Sequence, residues 1–342
     1  MAEIKTYQST IQEVYNFSLP WEKLSKANIL VTGATGLIGA CLIDVLMCNP
    51  DKDYTVYALG RNVERAKKRF ANYWGNSGFY FICADVCEPL LLQENFDYII
   101  HAASNASPNF FVQKPVEVMK SNLLGVSNLI EYGLKHNMKR LLFVSTGEVY
   151  GQSDKDKLDE SSYGYVELLN PRSCYPSSKR AAETLAMCYS SEYGCDVVIA
   201  RPCHIYGPNF TETDNRVYAQ FIRNVQNGED IILKSAGLQY RSWCYVVDCV
   251  SALLHILLKG KSGEAYNIAD KNSVVTIREL AEIVAGIAGK KVVMQVATDF
   301  EKKGFTPITH AVFDTSKIED LGWKLSGTME EKLRMTIMVS TQ

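Results

Sequence analysis

Short apolar runs alternate with longer helix-compatible segments through the first two hundred residues of the chain. The short runs are continuously apolar, which is typical of strands buried on both faces of a sheet. The predicted strands lie at about 28–32, 54–59, 79–83, 98–101 and 140–145, and the predicted helices at about 36–48 and 115–136, with a basic helix that contains Arg65, Lys67, Lys68 and Arg69. This alternation predicts an α/β fold with a parallel sheet covered by helices on both faces.

The stretch 29–39 joins the first strand to the first helix and places glycines three residues apart. A strand that turns sharply into a helix presents free backbone N–H groups and the positive helix end to a phosphate. Gly33 allows the tight turn, Gly36 lets the backbone approach a pyrophosphate, and Gly39 lets helix and strand pack closely. A purely structural turn is the alternative. With the flanking strand and helix, the pattern predicts a Rossmann-type doubly wound sheet whose dinucleotide contacts are Gly33, Thr35, Gly36, Leu37, Ile38 and Gly39.

The residues that follow the next strands decide which dinucleotide fits. No carboxylate follows the second strand to bind a ribose 2′-hydroxyl, and Arg61 stands there instead. Arg61 either faces a 2′-phosphate or is an ordinary solvated arginine, so NAD and NADP both stay open. Asp85 either accepts from an adenine amino group or forms a turn. The further predicted cofactor contacts are Asp85, Val86, Ala102, Ala103 and Ser104.

The strand–helix rhythm changes after about residue 200, where proline and glycine interrupt it and predicted helices lie at 214–227, 248–259 and 276–288. We predict an N-terminal extension over 1–27 and a dinucleotide-binding domain over 28–200, to which some later segments return. Residues 201–342 mainly form a smaller α/β substrate-binding portion.

Composition narrows the class of protein. The 342 residues carry a net charge of −2, which gives no reason to expect nucleic-acid or membrane-surface binding. No apolar run approaches the roughly 20 residues that span a bilayer, and no signal-peptide core precedes the first strand. Ten cysteines without a C-x-x-C pair predict buried thiols in a reducing compartment, and five isolated histidines predict no metal site. We therefore expect a cytoplasmic protein.

Two segments near the middle of the chain carry the candidate chemistry. The fifth strand ends in Ser145-Thr146-Gly147-Glu148, at the edge of the sheet where sites of open α/β folds lie. Tyr175 and Lys179 share one face of the next helix because they are four residues apart. An ammonium beside a phenol lowers the pKa of the phenol, which would make Tyr175 a usable base near neutral pH.

These segments, in this order, resemble the extended short-chain dehydrogenase/reductases, the nucleotide-sugar epimerase/dehydratase family. The resemblance extends from 28 to about 335. The chain is most similar to the branch of the family that decarboxylates UDP-glucuronate. The stretches that carry it are 85–90, 101–108, 145–151, 171–175, 179–180, 201–208, 215–217 and 240–246.

The resemblance implies a role for each matching residue. Tyr175 takes the proton of the sugar 4-hydroxyl while C4 is oxidised, Lys179 holds the nicotinamide ribose, and Thr146 hydrogen-bonds the same sugar oxygen. The 4-ketone then allows loss of CO₂ from a C6 carboxylate, with Glu148 and Arg241 in the acid/base and carboxylate-handling positions. Hydride returns to C4, so the cofactor, most simply a tightly bound NAD, is not consumed. The implied substrate contacts are Ser107, His204, Arg216 and Arg241.

Several positions depart from the family pattern and keep other reactions open. Gly147 stands where 4,6-dehydratases carry an Asp, His204 where the decarboxylases carry Asn, and 306–313 lacks the basic residue expected there. The alternatives are an NADPH-dependent 4-keto-6-deoxy-sugar reductase, suggested by Arg61, a 4-epimerase or 4,6-dehydratase, and a nucleotide-sensing relative without turnover. The resemblance also implies a homodimer that pairs helices 115–136 and 175–193.

Overall fold

The computed structural model describes residues 5–299, 302, 305–306 and 308–339. Its helices are α1 (Tyr7–Glu13), α2 (Leu37–Cys48), α3 (Val63–Arg69), α4 (Pro108–Gln113), α5 (Pro115–Lys135), α6 (Cys174–Tyr193), α7 (Val217–Gln226), α8 (Val246–Lys259), α9 (Ile277–Ala288), α10 (Ser316–Glu319) and α11 (Met329–Met338). Its strands are β1 (Asn28–Thr32), β2 (Thr55–Gly60), β3 (Phe79–Cys83), β4 (Tyr98–His101), β5 (Arg140–Val144), β6 (Val197–Pro202), β7 (His204–Tyr206), β8 (Ile231–Leu233), β9 (Tyr240–Tyr245), β10 (Ala265–Ile268), β11 (Asp270–Thr276), β12 (Val292–Met294) and β13 (His310–Ala311).

The large sheet has seven parallel strands in the order β10-β6-β5-β4-β1-β2-β3. β1 lies at its centre, where Ile29 pairs with Val56 of β2 on one side and with Tyr98 of β4 on the other. The chain adds β2 and β3 on one side of β1 and then crosses to β4 on the other side. The carboxyl ends of β1 and β4 therefore form the crevice in which such sheets bind ligands. The predicted doubly wound parallel sheet is therefore confirmed.

Helices cover both faces of this sheet, which explains the continuous apolar runs. Side chains alternate across a strand, so Ile29 and Val31 pack into the core on the α2 and α8 side, whereas Leu30 packs into the core on the α5 and α6 side. All three side chains are fully buried. At the sheet edge β3 is only partly buried, and Tyr80 is exposed there, so the prediction of a buried third strand is wrong.

A second layer lies over the carboxyl edge of the large sheet. In it β9 pairs with β7, β11 and β13, and β8 pairs with β12. Of the later elements, β10 joins the large sheet beside β6, and α8 packs on α2. The division of the chain at residue 200 stays a prediction.

The N-terminal segment is hydrogen-bonded to a helix that covers the large sheet. The Tyr7 hydroxyl donates to the buried Asp44 carboxylate of α2 at 2.7 Å, and Arg69 of α3 pairs with the same carboxylate. Leu24 of the same segment is fully buried in the core. No helix among the described residues is long and apolar enough to cross a membrane. All ten cysteines are free thiols, but Cys83 and Cys188 are exposed, so the prediction that they are buried is wrong for these two.

Candidate active site

A cavity of about 560 Å³ opens between the carboxyl edge of the large sheet and the second layer. Ten of the predicted site residues line it, namely Ile38, Ala102, Ser104, Thr146, Glu148, Tyr175, Lys179, His204, Arg216 and Arg241. Residues from both halves of the sequence thus meet at one place. The lining does not include Gly33, Thr35, Gly36, Leu37, Gly39, Arg61, Asp85, Val86, Ala103 or Ser107.

The glycine turn is shaped for close approach of backbone to a ligand. Gly33 has a φ of +65°, and a Cβ placed there would lie 2.7 Å from the backbone of Ala102. A Cβ on Gly39 would lie 2.4 Å from the carbonyl oxygen of Gly33. Gly36 is the N-cap of α2 and provides no side-chain cap, so the first N–H groups of the helix point outward unpaired by a side chain. These features fit a dinucleotide pyrophosphate.

We expect Gly33→Ala to destabilise the fold by about 2–4 kcal/mol, because the new Cβ meets backbone atoms and the positive φ disfavours any side chain. Urea unfolding measures this. The matched control is Gly286→Ala in α9, where nothing lies within 4 Å of the new methyl group. That change should stabilise the helix by about 0.5–1 kcal/mol. Equal stability of the two variants would contradict the assignment of Gly33 as a steric requirement.

The residues predicted to contact the adenosine end of the dinucleotide interact with one another or with neighbouring side chains. Arg61 Nη1 lies 3.5 Å from the carboxylates of both Asp85 and Glu117. Asp85 also accepts from the Cys87 N–H at 2.9 Å, so it forms the turn that was the alternative to adenine contact. Burial acts to raise the pKa of Asp85, but the Cys87 hydrogen bond and Arg61 hold it below its usual value. Two carboxylates beside Arg61 oppose binding of a 2′-phosphate there.

Thr146, Tyr175 and Lys179 lie together at the sheet end of the cavity. Thr146 follows β5, and its hydroxyl accepts from the Glu148 N–H at 3.2 Å. Tyr175 and Lys179 come from the first two turns of α6 and are 7% and 1% exposed. Lys179 Nζ donates to the Val144 carbonyl at 2.9 Å and lies 4.6 Å from the Phe143 ring centroid.

Burial favours the neutral form of both titratable side chains in this cluster. It lowers the pKa of Lys179 to about 7, against the attraction of Glu183. Burial and the Glu148 carboxylate raise the pKa of Tyr175 to about 12. The expectation that the pKa of Tyr175 is lowered is therefore wrong, because loss of hydration outweighs the favourable charges around the phenol.

Glu148 is held by a residue that the sequence did not single out. Its two carboxylate oxygens accept from Arg172 Nη1 and Nη2, each at 3.1 Å. Arg172 Cζ also lies 4.6 Å from the ring centroid of Phe111, which stacks on Tyr175 at 4.8 Å. Arg172 stands in the stretch 171–175 that carries the family resemblance, so the signal was present, whereas nothing in the sequence marks Phe111.

Arginines form the opposite wall of the cavity. Arg241 is 1% exposed, and its guanidinium donates to the carbonyls of Tyr240, at 3.1 Å, and Ile308. Burial lowers the pKa of Arg241 to about 10, against the attraction of Glu148. Arg216 instead pairs with the buried Asp214 carboxylate through Nε at 3.0 Å.

The positions that depart from the family pattern are explained by packing. A Cβ on Gly147 would lie 2.4 Å from the ring of Phe313, so this ring fills the space that a side chain at 147 would take. Burial and the neighbouring arginines lower the pKa of His204 to about 3, which makes its imidazole neutral. Ser107, just outside the lining, donates to the Asn215 side chain next to Arg216. Among the described residues, no group of acidic, histidine or cysteine side chains could hold a metal ion.

The chain matches a family model and is similar to known proteins. The model of the NAD dependent epimerase/dehydratase family matches residues 29–269. The chain is similar to UDP-glucuronic acid decarboxylase 5 of Arabidopsis thaliana, with 34% identity over 313 residues that cover 90% of this chain and 88% of that protein.

Two solved structures share the fold. One is a dTDP-glucose 4,6-dehydratase double mutant from Streptomyces venezuelae with NAD and DAU bound, at 26% identity and a TM-score of 0.78, covering 90% of this chain and 95% of that one. The other is a UDP-glucose 4-epimerase from Thermotoga maritima with UDP-glucose, at 25% identity and a TM-score of 0.77, covering 91% and 97%.

Proposed function

This chain belongs to the NAD-dependent epimerase/dehydratase family, and we propose that it is a nucleotide-sugar lyase that decarboxylates UDP-glucuronate. The similarity to UDP-glucuronic acid decarboxylases covers most of the chain and supports this reaction class. NAD is the cofactor that fits, because the glycine turn suits a pyrophosphate and Arg61 is occupied by two carboxylates.

The observation that carries the proposal is the environment of Arg241. Of the three arginines that line the cavity, Arg172 pairs with Glu148 and Arg216 with Asp214. Arg241 contacts backbone carbonyls and pairs with no carboxylate of the described residues. Glu148 attracts this guanidinium but forms its ion pair with Arg172, and a buried guanidinium without an ion-pair partner is costly unless an anion joins it. A carboxylate on the sugar would supply that charge, in the cavity that also holds Tyr175.

Each residue of the cavity then has its own role in the oxidation of C4. When bound, NAD supplies the acceptor for hydride from sugar C4. Tyr175 Oη takes the proton of the 4-hydroxyl, and Thr146 hydrogen-bonds the same oxygen. Lys179 holds the nicotinamide ribose and, when protonated, stabilises the phenolate. All three side chains line the cavity, and the Thr146 and Tyr175 side chains are hydrogen-bonded to each other, which supports these roles.

Arg241 and Glu148 act at the carboxylate end of the sugar. Once C4 is a ketone, the C6 carboxylate belongs to a β-keto acid, and its C5–C6 bond breaks with release of CO₂. The electron pair remains at C5 as an enolate, which takes up one proton. Arg241 orients the carboxylate before this step, and Glu148 lies on the route by which the proton reaches C5. Ser107, His204 and Arg216 bind the nucleotide diphosphate portion.

Incubation of the purified protein with UDP-glucuronate and without added NAD tests the proposal. We expect release of one CO₂ for each UDP-pentose formed, detected by mass spectrometry. A protein that retains NAD but yields neither product would refute the decarboxylase function. A product of unchanged mass from UDP-glucose would indicate an epimerase, loss of water a dehydratase, and consumption of NADPH with a 4-keto-sugar nucleotide a reductase.

We further propose that the chain forms a homodimer through α5 and α6. The two helices pack against each other, and α5 leaves the apolar side chains of Val116, Met119 and Leu124 exposed. An apolar helix face of this kind is covered in a dimer that pairs two such helix pairs. Sedimentation equilibrium should give twice the chain mass of 38.3 kDa. A monomer at micromolar concentration would exclude this assembly.

A cytoplasmic location is consistent with the cysteine chemistry. All ten cysteines are free thiols, including the exposed Cys83 and Cys188. Exposed thiols persist in reducing compartments. Imaging of a tagged full-length chain tests this location.

A further inference from the structure

Arg172 is held in a fixed position directly before the helix that carries Tyr175. It lies in the 3₁₀ turn Pro171–Ser173, and the Asn170 side chain caps this turn by accepting from the Arg172 N–H at 3.0 Å. The guanidinium side chain is 9% exposed. Arg172 therefore presents its guanidinium to the cavity from a rigid backbone.

The guanidinium contacts two groups at once. It donates to both oxygens of the Glu148 carboxylate, each at 3.1 Å, in the fork geometry that only arginine provides. It also lies 4.6 Å from the ring centroid of Phe111, which is 2% exposed in α4. Phe111 in turn stacks on the Tyr175 ring at 4.8 Å with an interplanar angle of 23°.

From these contacts we infer that Arg172 is a positioning residue for the reaction, which fixes the Glu148 carboxylate directly and the Tyr175 ring through Phe111. The inference rests on the proposed function for its effect on turnover. The expectation that Glu148 and Phe111 lose their positions without Arg172 does not depend on the substrate.

The charges around Tyr175 give Arg172 a second effect. Charged groups face the phenol from Glu148 in the turn after β5, from Arg172 before α6 and from Arg216 before α7, and Lys179 lies on the same helix. Glu148 raises the pKa of Tyr175, whereas Arg216 and Arg172 lower it. Removal of Arg172 leaves the Glu148 charge unbalanced beside the phenol, so the phenol should lose its proton at a higher pH.

The test compares Arg172→Gln and Arg172→Lys with the wild-type enzyme. Crystal structures of the variants should show the Glu148 carboxylate displaced and the Phe111 ring no longer stacked on Tyr175. With UDP-glucuronate, kcat of Arg172→Gln should fall by about tenfold or more at pH 7.5, with KM changed less than about threefold. The rising limb of the kcat profile, where Tyr175 loses its proton, should move up by about one pH unit. Arg172→Lys should recover part of both effects, since it keeps the charge but lacks the fork.

The double variant separates positioning from a general loss of stability. In a Glu148→Gln background, Arg172→Gln should lower kcat by less than it does alone, because no carboxylate remains for Arg172 to position. Arg140→Gln is the matched control: it breaks a similar two-nitrogen pair, with Asp196, at the opposite end of β5 and should leave the profile unchanged.

Two results would overturn the inference. One is a crystal structure of Arg172→Gln in which Glu148 and Phe111 keep their wild-type positions. The other is a fall in kcat on Arg172→Gln that is as large in the Glu148→Gln background as in the wild-type enzyme. If the wild-type enzyme releases no CO₂ from UDP-glucuronate, the proposed function fails by itself, and the crystal structures still decide the role of Arg172.

Discussion

The Tyr175→Phe protein is expected to turn over its nucleotide-sugar substrate about 10³-fold more slowly than the wild-type enzyme while it still holds NAD. The phenol is the group that can take the proton of the sugar 4-hydroxyl, and a phenyl ring keeps the packing but not the hydroxyl. The phenyl ring of the variant would still stack on Phe111, which lies 4.8 Å from the present ring. The loss should therefore appear in kcat, measured with saturating UDP-glucuronate, and correspond to about 4 kcal/mol in the activation barrier.

The matched control for this change is Tyr189→Phe. Tyr189 lies on the same helix and hydrogen-bonds Ser127 and Glu131 outside the cavity lining. Removing its hydroxyl is the same chemical change at a remote place, and kcat should stay within about twofold. A Tyr175→Phe enzyme with near wild-type kcat would show that another group accepts the proton.

Tyr175 also gives a pH prediction with a definite sign. Burial and Glu148 raise its pKa to about 12, and the phenol must be deprotonated to accept a proton. The fraction of phenolate therefore rises about tenfold for each pH unit below that value. We expect kcat/KM to increase with pH across pH 6 to 9, in a series of buffers at constant ionic strength. A profile that falls over this range would contradict the role of Tyr175 as a base.

The large sheet could be predicted from the sequence because its signal is local. Ile29, Leu30 and Val31 are apolar without interruption, and this is what a strand between two helical layers requires. The glycine turn is equally local, whereas the close contact of Gly33 with Ala102 depends on β4 lying beside β1, which the alternation of strands and helices does not predict. The second layer was harder to predict, since its strands are short and pair across long stretches of sequence, as β13 does with β9.

The chemistry of the site was only partly predictable, for a physical reason. The spacing of Tyr175 and Lys179 predicts that they lie on one face of a helix, and both line the cavity. Spacing does not show how much hydration each side chain loses when it is buried. Burial shifts the two pKa values in opposite directions, to about 12 and about 7. Likewise, the resemblance places Glu148 with Arg241, and only side-chain packing shows that Arg172 is the ion-pair partner of Glu148.

Lys179→Met should abolish turnover yet make the protein more stable, by about 1–3 kcal/mol at pH 7. Lys179 is 1% exposed, and burial lowers its pKa from the usual 10.5 to about 7, so the folded state holds this amine at a cost in free energy. Methionine fills a similar volume without that cost, and the hydrogen bond to the Val144 carbonyl that it loses is worth about 1 kcal/mol. Thermal unfolding of nucleotide-free protein should show a rise of roughly 1–4 °C.

The pH dependence of this gain follows from proton linkage. Between about pH 7 and 10.5 the unfolded chain holds a proton on Lys179 that the folded chain has released, so wild-type stability rises with pH in this window. The advantage of Lys179→Met should therefore be largest at pH 7 and below, and shrink toward pH 10.5.

Lys332→Met is the contrasting control, because Lys332 is equally buried but lies 2.7 Å from Asp248 and 3.2 Å from Asp270. Its removal leaves two buried carboxylates without a cation and should destabilise the protein by about 3–5 kcal/mol. If both variants lost stability alike, Lys179 would be a structural lysine. If only Lys179→Met gained stability while it lost turnover, the buried amine would be kept in the cavity for catalysis, at the expense of the fold.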